Sequence, residues 1–238
     1  MAWLGRKIFK TGGWPGLFVL SGIVLLAVGV VTENGDNYYR PEFLLHKTVV
    51  VDPGHGGIDG GAVSDLGDFE KNLTLQIGKR VADKLRAAGA QPILTREDDI
   101  DFYTRGKGGK RNDLDKRLAI AQESGAEIFI SIHANAIKGR RWTGAQVFYH
   151  PASGEGKELA ACIQQHLREF PPGNRRQEKG EDYYLLRKNS IPAVIVEVGF
   201  LSNAEEAARL KDEGYQDRLA EEIYRGLVHY ATVKQGQW

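Results

Sequence analysis

Cysteine is almost missing from this chain of 238 residues: there is one, Cys162, and methionine also occurs once. A single thiol can neither close an intrachain disulfide nor build a cysteine-rich metal cluster, so stability has to come from a packed core. Cys162 sits in the helical pattern "KELAACIQQHL", where it reads as a small buried hydrophobe and not as a nucleophile. An excess of one charge is lacking too, since the formal net charge is +1. Arg6, Lys7 and Lys10 stand apart at the N-terminus, and without them 29 basic residues face 31 acidic ones. That balance leaves no basic surface for a nucleic-acid partner. There is no internal repeat, no G-x-S-x-G around any serine and no Gly-Lys-Ser/Thr. The nucleophile elbow of a serine hydrolase and the phosphate-binding P-loop are therefore excluded.

Long apolar runs occur in one place only. "GLFVLSGIVLLAVGVV", Gly16 to Val31, has no charged residue and follows the three positive charges. Residues 1–32 are expected to be a signal peptide or, preferably, an uncleaved membrane anchor. Positive charge on its N-terminal side keeps that end in the cytoplasm and sends the rest of the chain across the membrane. Residues 33–44 read as a linker, 45–232 as one folded domain and 233–238 as a tail.

Within 45–232, strands and helices alternate. Strands are expected at Thr48 to Asp52, Pro92 to Thr95, Glu127 to His133, Ala145 to His150 and Ala193 to Val198. Leu73, Ile77, Val81 and Leu85 recur at helical spacing before Gly89; Leu114, Leu118 and Ala121 do so before Gly125. Leu159, Ile163 and Leu167 form a third stripe, closed by "PPG" at Pro171, and Leu219, Ile223 and Leu227 a last one. Ser202 with Glu205 three residues on reads as a capping box. The order implies an α/β fold: a single domain with a mostly parallel central sheet covered by helices on both faces.

The polar residues then fall at one end of that sheet. The first strand runs into "DPGHGG" and His55, "EIFISIH" ends at His133, and "AVIVEVGF" carries Glu197. Open α/β sheets bind ligands outside the carboxyl ends of their strands, so two imidazoles and a carboxylate converge on one rim. Two histidines and one carboxylate suit a catalytic zinc ion with an open position. Two glutamates compete for the third place: Glu70, opening the first helix, and Glu197, whose charge in a valine-rich strand is costly unless a cation lies near. One would bind metal and the other act as general base; spacing alone does not decide which. A phosphate cradle at the glycine loop ranks far behind, because Asp59 occupies the place of the third glycine of a dinucleotide fingerprint.

The segments "VVVDPGHGG", "EKNLTL", "LTRE", "SIHAN" and "PAVIVEVGFLSN", in that order, resemble the zinc-dependent N-acetylmuramoyl-L-alanine amidases of bacteria. The likeness spans about Lys47 to Tyr230. It implies one zinc ion held by His55, Glu70 and His133, with Glu197 as catalytic base, and peptidoglycan as substrate. The "RNDLDKRLAIAQ" and "WTGAQVFYH" segments resemble most the germination-specific members from endospore formers, which implies a role in spore cortex maturation and germination outside the cytoplasm. Arg96, Arg117 and Arg187 match positions commonly basic in the family. Of these Arg187 is expected to hold a substrate carboxylate or sugar oxygen, and Asn135 to orient a ligand. The segment between His133 and Glu197 is too short for a built-in inhibitory helix, which leaves a separate activator as a possible partner. "TRGKGGKR", Thr104 to Arg111, reads as a solvated loop. His46, His150, His166 and His229 fall outside the motifs. The residue types alone also suit a zinc peptidase or deacetylase, a non-haem iron oxygenase, or a wall-binding protein with a relic site. The resemblance favours the amidase.

Overall fold

The computed structural model describes residues 39–104, 108–137, 139 and 141–235. The chain divides after Asp36, and every described residue belongs to the second unit, Asn37–Trp238. The expected anchor or signal at 1–32, residues 33–38 of the linker and the end of the tail lie outside the described residues. Among the described residues no helix is long and apolar enough to cross a membrane.

Six strands form one sheet: β1 (Thr48–Pro53), β2 (Gln91–Leu94), β3 (Ile128–Asn135), β4 (Gln146–Tyr149), β5 (Lys179–Gly180) and β6 (Ala193–Phe200), in the order β2-β1-β3-β6-β4-β5. The four strands from β2 to β6 in that order run parallel, as expected. The outer part corrects the expectation, because β4 lies antiparallel to β6 and the sheet is mixed. The physical reason is the connection. Among the described residues no helix lies between β3 and β4 to carry the chain back to the starting edge, and β4 begins at the rim where β3 ended. β5 adds parallel to β4 and was not anticipated, since its pairing with Phe148 and Tyr149 comes from contacts distant in sequence.

Both faces are covered. Val49, Val51, Ile130, Ile132, Val194 and Val196 point into the larger core with α1 (Glu70–Ala87), α3 (Gly154–Leu167) and α6 (Glu213–Gln235). Val50, Phe129 and Ile195 point the other way, against Ala121 and Leu118 of α2 (Gly109–Glu123) and Leu185 and Leu186 of α4 (Tyr184–Lys188). Two-residue alternation in the strands thus supplies both layers, each fully buried aliphatic side chain contributing roughly 1.5–3 kcal/mol. The stripe Leu73, Ile77, Val81, Leu85 is buried as the spacing requires, and Gly89 takes the left-handed conformation that ends α1.

Three local expectations are corrected. The cap of α5 (Ala204–Lys211) is Asn203, whose side-chain Oδ1 accepts from the N–H groups of Glu205 and Glu206; Ser202 is one residue too early, and its hydroxyl has no partner. The linker does not stay free up to residue 44, because Pro41–Leu44 forms a 3-10 turn that delivers Leu44 to the core, fully buried. The basic segment is not wholly loop either: Gly109, Lys110 and Arg111 make the first turn of α2. Cys162 is buried, and burial pushes its thiol up to about 11, far from a nucleophile's range.

Candidate metal centre at the sheet rim

The site is assembled by the ends of β1 and β3, the start of α1 and the middle of β6. His133 and Glu197 face each other across the β3–β6 pairing, two residues beyond Ser131 and Ile195, and so share the sheet face of Ile195. Glu70 is the first residue of α1, where the helix N-terminus favours a negative charge. His55 follows β1 in a left-handed backbone conformation, φ 62°, unusual for a residue with a side chain.

Three of the four expected side chains form one cluster, in which one donor atom each from His55, Glu70 and His133 lies within 4.8 Å of the others. Glu70 bridges the imidazoles, with Oε2 3.1 Å from His55 Nε2 and Oε1 2.9 Å from His133 Nδ1. The same carboxylate accepts from the Ala62 N–H at 2.8 Å and the Ala134 N–H at 3.0 Å, which fixes its plane. Burial by itself would raise the Glu70 carboxyl; the hydrogen bonds and charges of His133 and His55 outweigh it and hold the group well below the usual carboxylate range. The His133 ring is disfavoured as a cation by burial, yet Glu70 carries its pKa upward.

Glu197 differs from Glu70 in every respect that matters for a base. Its Oε2 is out of solvent and has no hydrogen-bond partner. Burial pushes its carboxyl up to about 7, with His133 opposing and Glu70 adding to the shift. An orphaned carboxylate oxygen beside a two-histidine, one-glutamate set is the arrangement a divalent cation fits, because the cation would offset the cost of burying that second acid.

The loop is stripped of side chains because there is no room for them. A Cβ on Gly54 would stand 2.3 Å from His133 Cε1, and one on Gly61 would stand 2.6 Å from Glu70 Oε2 and 2.8 Å from His55 Cδ2. Asp59, which the sequence marks only as a misfit to a phosphate motif, stands beside His55. Its Oδ2 lies 2.9 Å from His55 Nδ1, and Lys110 from the basic segment lies 3.0 Å from the same oxygen. A carboxylate on the far nitrogen of a ligating histidine sets its tautomer and raises its basicity. Its position four residues after His55 is a signal that was there to be read.

Arg96 and Arg117 are buried and bonded to the protein, which leaves Arg187 as the one of the three basic positions that substrate could reach. Asp52, also fully buried, accepts from Thr95, Ser131 and Arg117 at 2.6, 2.6 and 2.7 Å. Its burial acts to raise the carboxyl, and Arg117 with the two hydroxyls brings it below the usual range. Like Glu197 it is an acid in a valine strand, so the same logic would have singled it out. Arg187, on α4, is partly exposed and lies 2.6 Å from Asp182. Asn135 ends β3, two residues past His133, where its carbonyl accepts from Leu201 N–H. A cavity of about 530 Å³, lined by Leu44, Ile128, Pro192 and Tyr230 among others, lies at the opposite end of the sheet. Chemistry, not volume, locates the site.

Comparison with known proteins agrees with this geometry. The profile of the family described as N-acetylmuramoyl-L-alanine amidase matches residues 49–229. The germination-specific N-acetylmuramoyl-L-alanine amidase of Bacillus subtilis (strain 168) is 39% identical over 224 residues, covering 91% of this chain and 94% of that protein. The amidase LytC of the same organism is 36% identical over 189 residues, 79% of this chain but 36% of LytC. Among solved structures, the CwlD amidase from Clostridioides difficile in complex with the GerS lipoprotein has 39% identity and a TM-score of 0.76, over 79% of this chain and 100% of that one. AmiC2 of Nostoc punctiforme has 35% identity and a TM-score of 0.67, over 81% and 98%.

Proposed function

This chain belongs to the N-acetylmuramoyl-L-alanine amidase family, and from that premise we propose that His55, Glu70 and His133 hold one zinc ion while Glu197 moves the proton in hydrolysis of the amide between muramic acid and L-alanine. The observation that carries this is the convergence of three donor groups within 4.8 Å beside an acid whose Oε2 is buried and unpartnered. When bound, zinc supplies a Lewis acid that activates water near neutral pH and polarises the amide carbonyl. Glu197 accepts the proton of the attacking water at Oε2 and delivers it to the amide nitrogen as the C–N bond breaks. The lactyl carboxylate and a free amino-terminal alanine result, and every atom of water is accounted for. A carboxyl raised to about 7 can do both halves of that transfer. Asp59 orients His55 throughout. No side-chain nucleophile takes part: Ser131 donates to Asp52 inside the protein, and no histidine or carboxylate bonds to the Ser202 hydroxyl to activate it.

Around this chemistry, Arg187 is assigned a contact with a substrate carboxylate, its guanidinium oriented by Asp182. Asn135 is assigned a hydrogen bond at the rim. The biological setting rests on similarity: the germination-specific relative supports a spore-cortex role, and the relative solved with a lipoprotein supports a separate activator. Residues 1–32 would anchor or export the enzyme outside the cytoplasm.

The test is mass spectrometry of purified peptidoglycan treated with the full-length, zinc-supplemented protein beside Glu197→Gln. Stem peptides with a free alanine amino terminus are the expected product. Glu197→Gln should retain its zinc and lose about 10²–10⁴ in turnover. An active variant removes Glu197 from the mechanism, and cleavage elsewhere in the stem or of the N-acetyl group replaces the amidase reading with a peptidase or deacetylase.

A further inference from the structure

Below the rim, Arg96 and Arg117 are 2% and 1% exposed. Sequestering two guanidinium groups side by side is costly, and the structure shows what they hold in return. Arg117 donates from Nε to Asp113 Oδ2 at 2.9 Å, from Nη1 to Asp52 Oδ1 at 2.7 Å and Pro53 O at 2.9 Å, and from Nη2 to His55 O at 2.7 Å and Asp113 Oδ1 at 3.4 Å. All the N–H groups a guanidinium has are spoken for. Arg96 donates from Nε to Pro53 O at 2.9 Å, from Nη1 to Asp98 O at 3.1 Å, and from Nη2 to Gly54 O, Lys71 O and Thr74 Oγ1 at 3.0, 2.7 and 3.2 Å.

The destinations are informative. Neutralising Asp52 would need one arginine and one or two bonds. Instead the pair takes the carbonyls of Pro53, Gly54 and His55 in succession, together with that of Lys71, the residue after Glu70. The other oxygen of Asp52 accepts from Ser131, two residues before His133 on the same strand. One buried network therefore reaches each of the three elements that carry a donor. It also grips the peptide of His55, the one donor residue in a left-handed conformation that a β-carbon disfavours.

We propose that Arg96 and Arg117 are positioning residues that pre-set the metal site, holding His55 in its left-handed backbone and fixing its loop against Glu70 and His133 before any ion binds. This rests on reading His55, Glu70 and His133 as the zinc site. Lysine keeps the charge but gathers its donors on one nitrogen, so it cannot reach the separate carbonyls that the guanidinium bonds from three nitrogens. Binding would then have to order the loop, and the ordering cost appears as lost affinity.

The experiment measures zinc affinity of the full chain by competition with a chromophoric chelator, alongside urea unfolding of the metal-free form. Arg117→Lys and Arg96→Lys are expected to bind zinc about 10–100-fold more weakly, the range seen when groups behind a metal ligand are lost. The zinc concentration for half-maximal turnover should shift by the same factor. Ile163→Val, in the core on the opposite sheet face, controls for stability: it should lose stability and keep wild-type affinity. Folded arginine variants that bind zinc within two-fold of wild type overturn the proposal, as does an equal affinity loss in Ile163→Val. Should Arg117→Lys fail to fold, Arg96→Lys and Asp113→Asn, which removes the charge that anchors Arg117 on the helix side while leaving an oxygen for the Phe102 N–H, are judged by the same criterion. A wild-type chain that binds no zinc, or a His55→Ala variant that binds it normally, brings down the metal reading itself, and the positioning role with it.

Discussion

Gly54→Ala is the smallest change that should separate the metal site from the fold. Gly54 has no left-handed backbone to protect, so alanine is conformationally permitted and only space is at issue. Its new methyl would stand 2.3 Å from His133 Cε1, 2.4 Å from Nε2 and 2.7 Å from Nδ1. Restoring an ordinary contact of 3.4 Å requires the ring to withdraw by about 1.1 Å. Metal–ligand distances tolerate about 0.2 Å, and a misplacement of about 1 Å in a working site costs on the order of 100-fold. The neighbouring peptide cannot yield instead, since Gly54 N donates to Ile132 O at 2.9 Å and Gly54 O accepts from Arg96 and Thr74. Zinc affinity should therefore fall by roughly 100-fold, with turnover lost at limiting zinc. The metal-free protein should lose only the roughly 1–3 kcal/mol typical of overpacking. Chelator competition and urea unfolding read the two quantities independently. Near-wild-type zinc affinity in a folded Gly54→Ala chain would refute both the crowding and the placement of His133 in the site.

Acid stability should depend on His166, which is fully buried with neither ring nitrogen hydrogen-bonded, and whose pKa burial lowers to about 4 from 6.5, Arg225 and His229 adding to the effect. Below pH 6.5 the unfolded chain takes up a proton that the folded one refuses, so stability is intact above that pH and falls toward pH 4 by at most about 3 kcal/mol, Glu222 Oε2 at 3.7 Å from Nδ1 offsetting part of it. Urea titration of the metal-free protein at pH 7 and 4.5 should show most of that loss disappearing in His166→Leu; an unchanged loss rules the histidine out. Asn203→Ala should cost about 1 kcal/mol of unfolding free energy and Ser202→Ala under about 0.5, and the reverse order would restore Ser202 as the cap. Gly226→Ala would gain about 1 kcal/mol in an isolated helix. Here its methyl meets Ile163 Cα at 2.5 Å, so α3 and α6 must part, and a net loss of about 1–2 kcal/mol is expected; a more stable variant would show that the helices separate freely.

Much of the fold was legible because its causes are local. Valine runs mark strands buried on both faces, the stripe from Leu73 to Leu85 marks a helix with one buried side, and Gly89 marks its end. Errors arose where the cause was not local. β5 exists only because Phe148 and Tyr149 offer a partner, and the antiparallel β4 follows from what the chain omits between β3 and β4. The cap of α5 was displaced by one residue, since Ser202 and Asn203 are both competent and only the backbone path chooses between them.

At the site, residue types and strand-end positions were enough to bring His55, His133 and two glutamates to one rim, because parallel strands share a carboxyl edge. Residue types could not divide the glutamates between ligand and base. What distinguishes them is tertiary: Glu70 meets two imidazoles and two main-chain N–H groups, whereas Glu197 Oε2 has no hydrogen-bond partner among the described residues and burial pushes its carboxyl up to about 7. The two arginines beneath the glycine loop were likewise decided only by folding, since they meet Asp52, Pro53 and Gly54 across 42 to 65 residues of chain.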